Sequence, residues 1–186
     1  MGDIVIGETY LKSVIKDFRL YKSLGEKALA QVPSDADFDI QLDPESNSIA
    51  VIVQHISGNF RSRYRDFLTT DGEKPDRDRD GEFTPHGPST RAGVVKTWDE
   101  GWAVTLATLD ALTPTDLEKT ITIRSEPMTV VSALNRSVTH TAYHVGQIVY
   151  LARHFASPNW RSLSIPKGKS AEFFGKGDFK TRGTVR

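Results

Sequence analysis

Two histidines lie four residues apart in the stretch SVTHTAYHVGQIVYLARHF, residues 137–155. The imidazole side chain of histidine is a common metal ligand. On a helix, His140 and His144 would lie one turn apart on the same side. Both imidazoles can then reach one divalent ion at about 2.0–2.1 Å, which predicts a metal site that needs a third ligand from elsewhere. The pair lacks the glutamate of HExxH metalloproteases. Two histidines bonded to backbone or to neighbouring carboxylates are the alternative.

The stretch itself has the periodicity of an amphipathic helix, which we predict from about Val130 to Phe155. The apolar residues of one broad arc are Val138, Ala142, Val145, Ile148, Val149 and Ala152. His140 and His144 lie at the edge of this arc, so they should point into a pocket or a seam between helices. Arg136 and Tyr143 lie on the other side and can meet water.

Helical periodicity also predicts three earlier helices. Their ranges are 8–31, 44–68 and, with Ser89 or Thr90 as the cap, 90–112. Between the first two helices, Phe38, Ile40 and Leu42 could pack onto the bundle. In the third helix, Val95, Trp98 and Trp102 belong to the predicted packing face. The β-branched run 120–123 followed by 128–131 favours a small hairpin, unless its second half already begins the last helix.

His55 lies on the flank of the second predicted helix, beside a row of small polar residues. Such a histidine could be an ordinary surface residue. The following segment, residues 69–88, is polar, rich in proline and glycine, and long for a loop, which is typical of a segment that covers a site or moves. We interpret His86 within it as a loop residue rather than a ligand.

Composition limits the classes of function. The 186-residue chain has 24 basic and 24 acidic residues, so no global field would attract nucleic acid or an anionic membrane. The absence of cysteine excludes disulfides and thiolate ligands and fits a reducing compartment. No apolar stretch approaches the ~20 residues of a membrane span. We expect a soluble cytoplasmic protein with one domain over residues 1–170 and a flexible tail over residues 171–186.

Together, four helices, a histidine in the second and an HxxxH pair in the fourth resemble the DinB-like superfamily, which includes the YfiT-like metal-dependent proteins. The resemblance implies an all-α, up-down-down-up four-helix bundle that often forms homodimers. It also implies that His55, His140 and His144 surround a divalent metal ion, for which zinc and nickel are the expected metals.

Four sequence runs resemble one branch of this superfamily, the DUF1572 family. They are QHISGN at 54–59, FLTTDGEKPDRDRDGEF at 67–83, HTAYHVGQIVYLARH at 140–154 and WRSLSIPKGKS at 160–170. Some members of the wider superfamily use low-molecular-weight thiols such as bacillithiol or mycothiol in transferase or isomerase reactions. This resemblance favours a metal-dependent thiol S-transferase that acts on a small-molecule substrate. A non-catalytic, stress-related metal-binding dimer and a metal-dependent hydrolase are the alternatives.

Four further polar residues are candidates for supporting roles. Asn59 and Gln147 each lie one turn from a histidine and could orient a substrate, a bound water or a ligand. A hydrolase would need a general base, for which Asp99 and Glu100 are the candidates. Ordinary hydrogen bonding or a solvated helix face is the alternative interpretation for each of the four.

Overall fold

The computed structural model describes residues 2–173 and is mostly helical. The four main helices are α1 (Gly2–Leu29), α2 (Ile49–Tyr64), α3 (Arg91–Ala111) and α4 (Val130–Ala156). A two-stranded antiparallel hairpin, formed by β1 (Thr120–Ile123) and β2 (Glu126–Thr129), precedes α4. A short helix, α5 (Ser170–Phe173), follows, and Ala36–Phe38, Gly81–Phe83 and Pro114–Asp116 form 3₁₀ turns. Most of the predicted tail lies outside the described residues.

Hydroxyl caps define where three of the helices begin. Ser48, Thr90 and Thr129 each accept a hydrogen bond from the backbone NH three residues further along. Each bond satisfies one of the NH groups that the first turn of a helix leaves without a partner. The predicted starts of α3 and α4 are therefore confirmed.

Helix α1 packs mainly against α4, and α2 packs mainly against α3. Aromatic side chains fill the space between the pairs: the rings of Phe60 and Trp102 are 4.9 Å apart, and Phe18 meets Tyr64 edge to face at 6.1 Å. Helix α2 also contacts α4. That contact brings the helix of His55 against the helix of His140 and His144.

Several predicted boundaries were wrong. Helix α2 is shorter at both ends than the predicted 44–68, because Ser48 caps it and Arg65 turns to an extended conformation. Strand β2 begins at Glu126 rather than at 128, because Arg124 and Ser125 adopt left-handed φ angles of 58° and 63° and complete the turn early.

Three apolar residues are also less buried than predicted. Ile40 and Leu42 are 40% and 45% exposed, so Phe38 alone packs into the core from that segment. Val95 on α3 is 38% exposed, whereas Trp98 and Trp102 are buried as predicted. Among the residues described, no helix is long and apolar enough to cross a bilayer.

Gly101 sets how closely α3 approaches α2. A Cβ at this position would lie 2.7 Å from the Cα of Ser57, and a backbone atom cannot rotate away. We expect Gly101→Ala to lower the free energy of unfolding by about 1–3 kcal/mol, measured by urea denaturation. Gly146→Ala on α4 is the matched control, because an added Cβ there meets no described atom within 4 Å. It should raise stability by up to about 1 kcal/mol. Equal effects of the two substitutions would contradict this account.

Candidate metal centre

Three histidines from two helices converge at one point. The Nε2 atom of His140 lies 3.3 Å from Nε2 of His55 and 3.2 Å from Nε2 of His144. One ligand nitrogen from each residue lies within 4.8 Å of the others. His55 and His144 are buried and His140 is half-buried. The structure thus brings together the three residues predicted as metal ligands in a group that could hold a metal.

Two of the three separations between these nitrogens fit a metal ion. With metal–nitrogen bonds of about 2.0–2.1 Å, tetrahedral geometry places two ligand nitrogens about 3.3–3.4 Å apart. Both of the Nε2 separations given above are close to that value. The donor set suits zinc or nickel, because neutral imidazole is a preferred ligand of both.

The outer nitrogens of two of these histidines face hydrogen-bond acceptors. Nδ1 of His55 lies 2.9 Å from Oε2 of Glu82, and Nδ1 of His144 lies 2.8 Å from Oε1 of Gln147. Each Nδ1 must therefore carry the proton and donate it. The tautomer that results leaves a lone pair on Nε2, directed at the shared centre.

The protonation of the α4 histidines also suits metal binding. Burial first, then the neighbouring histidines and the charges of Arg77 and Arg63, together lower the pKa of His140 to about 3. Burial likewise lowers the pKa of His144 to about 4, although its hydrogen bond with Gln147 opposes the shift. Both imidazoles are thus neutral at physiological pH, which is the form that binds a metal.

Glu82, which sequence reasoning missed, comes from the 3₁₀ turn Gly81–Phe83 in the loop. Arg77 donates from Nε to Oε1 at 2.7 Å and from Nη2 to Oε2 at 2.8 Å, so it holds the carboxylate in a fixed orientation. Burial alone would raise the pKa of Glu82, but the hydrogen bonds from Arg77 and His55 outweigh it and lower the pKa. The result is a continuous chain of hydrogen-bonded side chains, the Arg77–Glu82–His55 chain.

Glycine makes room for this chain. A Cβ on Gly58 would overlap Oε1 of Glu82, so only a residue without a side chain lets the carboxylate lie against α2 beside His55. Gln54 secures the loop on the same helix, because its Nε2 donates to the carbonyl of Gly81 at 2.8 Å. A glycine one turn from a candidate ligand is the signal in the sequence that could have indicated a close approach here.

The remaining predicted residues divide into two groups. Gln147 contacts His144 as a supporting partner, and Asn59 lines the cavity beside the histidines. Asp99 and Glu100 lie elsewhere: both are exposed, Asp99 pairs with Lys22, and Glu100 pairs with Arg61 and Lys96. His86 is exposed, as expected of a loop residue.

A cavity of about 400 Å³ opens beside the three histidines. The ring of Phe83 lies 4.6 Å from that of His55 and forms part of its wall. Tyr143 and Arg136, which were expected to face water on the far side of α4, also line this cavity. A small molecule in the cavity would therefore contact the histidine group directly.

The model of DUF1572, a family of proteins of unknown function, matches residues 5–169 of the chain. The chain belongs to the DUF1572 family. The match confirms the resemblance seen in the four sequence runs, and it includes all three histidines together with the loop that carries Arg77 and Glu82. Comparisons with curated proteins and with solved structures gave no match. The function of this DUF1572 chain must therefore be inferred from its own site.

The two lowered histidine pKa values predict an acid sensitivity of the metal-free protein. An unfolded histidine has a pKa of about 6.5, whereas His140 and His144 have values of about 3 and 4 in the fold. Between these values the unfolded chain binds more protons. We expect chelator-treated protein to lose about 1–3 kcal/mol of unfolding free energy as the pH falls from about 6.5 to 4 through this pair.

The measurement is urea denaturation at a series of pH values, for wild type and for a His140→Gln, His144→Gln double variant. Because carboxylates also contribute to acid sensitivity, the difference between the two profiles isolates the histidines. The difference in unfolding free energy between wild type and the double variant should be constant above about pH 7 and change below it. Parallel profiles from pH 7 to 4 would show that the two histidines are not held in their neutral form.

Proposed function

We propose that this DUF1572 protein binds one divalent metal ion, zinc or nickel, through Nε2 of His55, His140 and His144. The short distances from Nε2 of His140 to Nε2 of His55 and of His144 are the observation that carries the proposal. The orientation of two outer nitrogens toward Glu82 and Gln147 supports it, because such partners fix the metal-binding tautomer. Zinc and nickel both accept imidazole, so the donor set does not choose between them.

We further propose that the site is catalytic. Within the described part of the chain, no carboxylate, cysteine or further histidine joins the three-histidine group. Three protein ligands leave a coordination position for a substrate, which is typical of catalytic rather than structural zinc sites. The adjacent cavity gives a small molecule access to that position.

The proposed reaction is the transfer of a small thiol to an electrophilic substrate. An ion bound here would lower the pKa of a thiol coordinated to it. The chain has no cysteine, so the sulfur must come from a low-molecular-weight thiol. In the reaction the thiol loses its proton, its sulfur forms a bond to carbon, and a leaving group departs from that carbon or the electrophile accepts a proton. Hydrolysis has less support, because Asp99 and Glu100 lie away from the histidines.

The first test is the metal content of protein purified without an affinity tag, measured by elemental analysis. Wild type should bind about one equivalent of zinc or nickel, and His144→Ala should lose most of it, because two imidazoles bind the ion more weakly than three. The loaded wild type should also accelerate conjugation of a small thiol to monochlorobimane, measured by fluorescence. His144→Ala should lose this activity.

His154→Ala is the matched control, because His154 lies on the same helix but is exposed and contacts Phe155. It should keep both metal and activity. Wild-type protein that takes up neither zinc nor nickel would refute the metal site. Stoichiometric metal without thiol conjugation would instead favour the non-catalytic alternative.

The Arg77–Glu82–His55 chain predicts how the metal affinity depends on the loop. Glu82→Gln removes the charge that orients His55, and we expect it to weaken metal binding about 10- to 100-fold. Gly58→Ala keeps the carboxylate but displaces it, so it should weaken binding in the same direction. Affinity can be measured by competition with a chromophoric chelator.

Two controls separate this effect from a general loss of stability. Glu126→Gln removes an exposed glutamate from the hairpin, and Gly146→Ala adds a methyl group in open space on α4. Both should bind metal as wild type does. Unchanged affinity in Glu82→Gln and Gly58→Ala would show that the carboxylate does not support the site.

A further inference from the structure

The cavity beside the three histidines is strongly basic. Among the residues that the structure describes, five arginines and no aspartate or glutamate line it: Arg63, Arg77, Arg79, Arg124 and Arg136. Guanidinium groups remain charged at every physiological pH. Because the whole chain has equal numbers of acidic and basic residues, this concentration is a local property of the site.

Two glutamates behind the wall compensate only part of this charge. Glu73 accepts hydrogen bonds from Arg63 at 2.9 Å, from Arg124 at 2.8 Å and from Arg77 at 3.2 Å. Glu82 pairs with Arg77 as well. These three arginines and two carboxylates therefore leave one positive charge in excess. With Arg79 and Arg136 added, and with Asp80, the exposed partner of Arg79, counted against them, the excess around the cavity is two.

Arg136 is the best placed to meet a ligand. It precedes His140 by one turn of α4, so Arg136, His140 and His144 form one row along the helix. Its side chain is exposed and makes no ion pair with any residue in the described range 2–173. A guanidinium in this position can donate two parallel hydrogen bonds into the cavity.

Two further arginines have donors to spare. Arg124 uses Nε for Glu73, and its two terminal nitrogens make no hydrogen bond to the residues described here. Arg79 is 52% exposed, its guanidinium lies 5.7 Å from the centre of the Phe83 ring, and its only described ion pair, with Asp80, is 3.9 Å long. An exposed pair of this length holds an arginine weakly.

The positive charge lies beside the histidines themselves, because the five arginines and the three histidines line the same cavity. A divalent cation would add two more positive charges at that point. A ligand with a negative group would offset this accumulated charge, whereas a neutral ligand would not.

We propose that the molecule bound in this cavity carries an anionic group, a carboxylate or a phosphate, which Arg136 binds together with Arg79 and Arg124. Its reacting atom would then face the three histidines. The position of the reacting atom rests on the proposed function, but binding of the anion does not, because the arginines need no metal to bind it.

The first experiment uses metal-free, full-length protein. Isothermal titration calorimetry in a low-chloride, phosphate-free buffer would measure binding of inorganic phosphate and, separately, of succinate. At least one of them should bind to wild type, and the tighter one identifies the class of anion. Arg136→Gln should weaken that binding about fivefold to tenfold. Arg153→Gln should not, because Arg153 is exposed on the same helix but lines a different cavity.

The second experiment uses protein loaded with cobalt or nickel, in which a bound thiolate gives a charge-transfer absorption band. Titrations would compare 3-mercaptopropionate with the neutral 2-mercaptoethanol. Wild type and Arg153→Gln should prefer the anionic thiol about tenfold, and Arg136→Gln should lose most of that preference. Elemental analysis of the same samples gives the metal content independently.

Failure of this proposal differs from failure of the metal site. If wild type binds neither phosphate nor succinate, or if Arg136→Gln and Arg153→Gln behave alike, the anion site is refuted, whatever the metal content. If the metal-free protein binds an anion through Arg136 but takes up no metal, the anion site is supported and the proposed metal function is wrong.

Discussion

The buried carboxylate of Glu82 is the group on which the rest of the site depends. Its side chain is only 7% exposed, and an ionised carboxylate so far from water is stable only if its oxygens are bound. Arg77 binds both oxygens, and His55 binds Oε2. The same interaction fastens the loop to α2, fixes the proton of His55 on Nδ1 and leaves Nε2 directed at the other two histidines. A single buried charge thus links the position of the loop to the chemistry of the centre.

Helical periodicity and spacing identified the parts of the site that lie on regular structure. The HxxxH pair, its position at the edge of the apolar arc and the caps of α3 and α4 all follow from patterns with a period close to 3.6 residues. Glu82 and Arg77 could not be found in this way, because the loop has no periodicity. In the structure, charged side chains of this loop are paired: Arg77 binds Glu82, and Glu73 binds Arg63 of α2.

The errors in the helix and strand boundaries have a related cause. Apolar residues continued the helical pattern of α2 to Leu68, although the backbone already turns at Arg65. Ile40, Leu42 and Val95 fit an apolar pattern but are exposed among the described residues. Equally, a net charge of zero gave no indication that five arginines line one cavity, because composition averages over surfaces that the fold separates.

The loop is tied to the bundle at several places besides Glu82. The hydroxyl of Ser62 donates to the carbonyl of Gly72 and accepts from the NH of Lys74, while the NH of Gly72 donates to Thr122 on β1. The three histidines and their supporting carboxylate therefore assemble only when two distant helices, the hairpin and the loop have all docked. An incompletely folded chain lacks this centre. Metal binding at the proposed site would therefore stabilise only completely folded molecules and would favour the survival of those molecules in the cell.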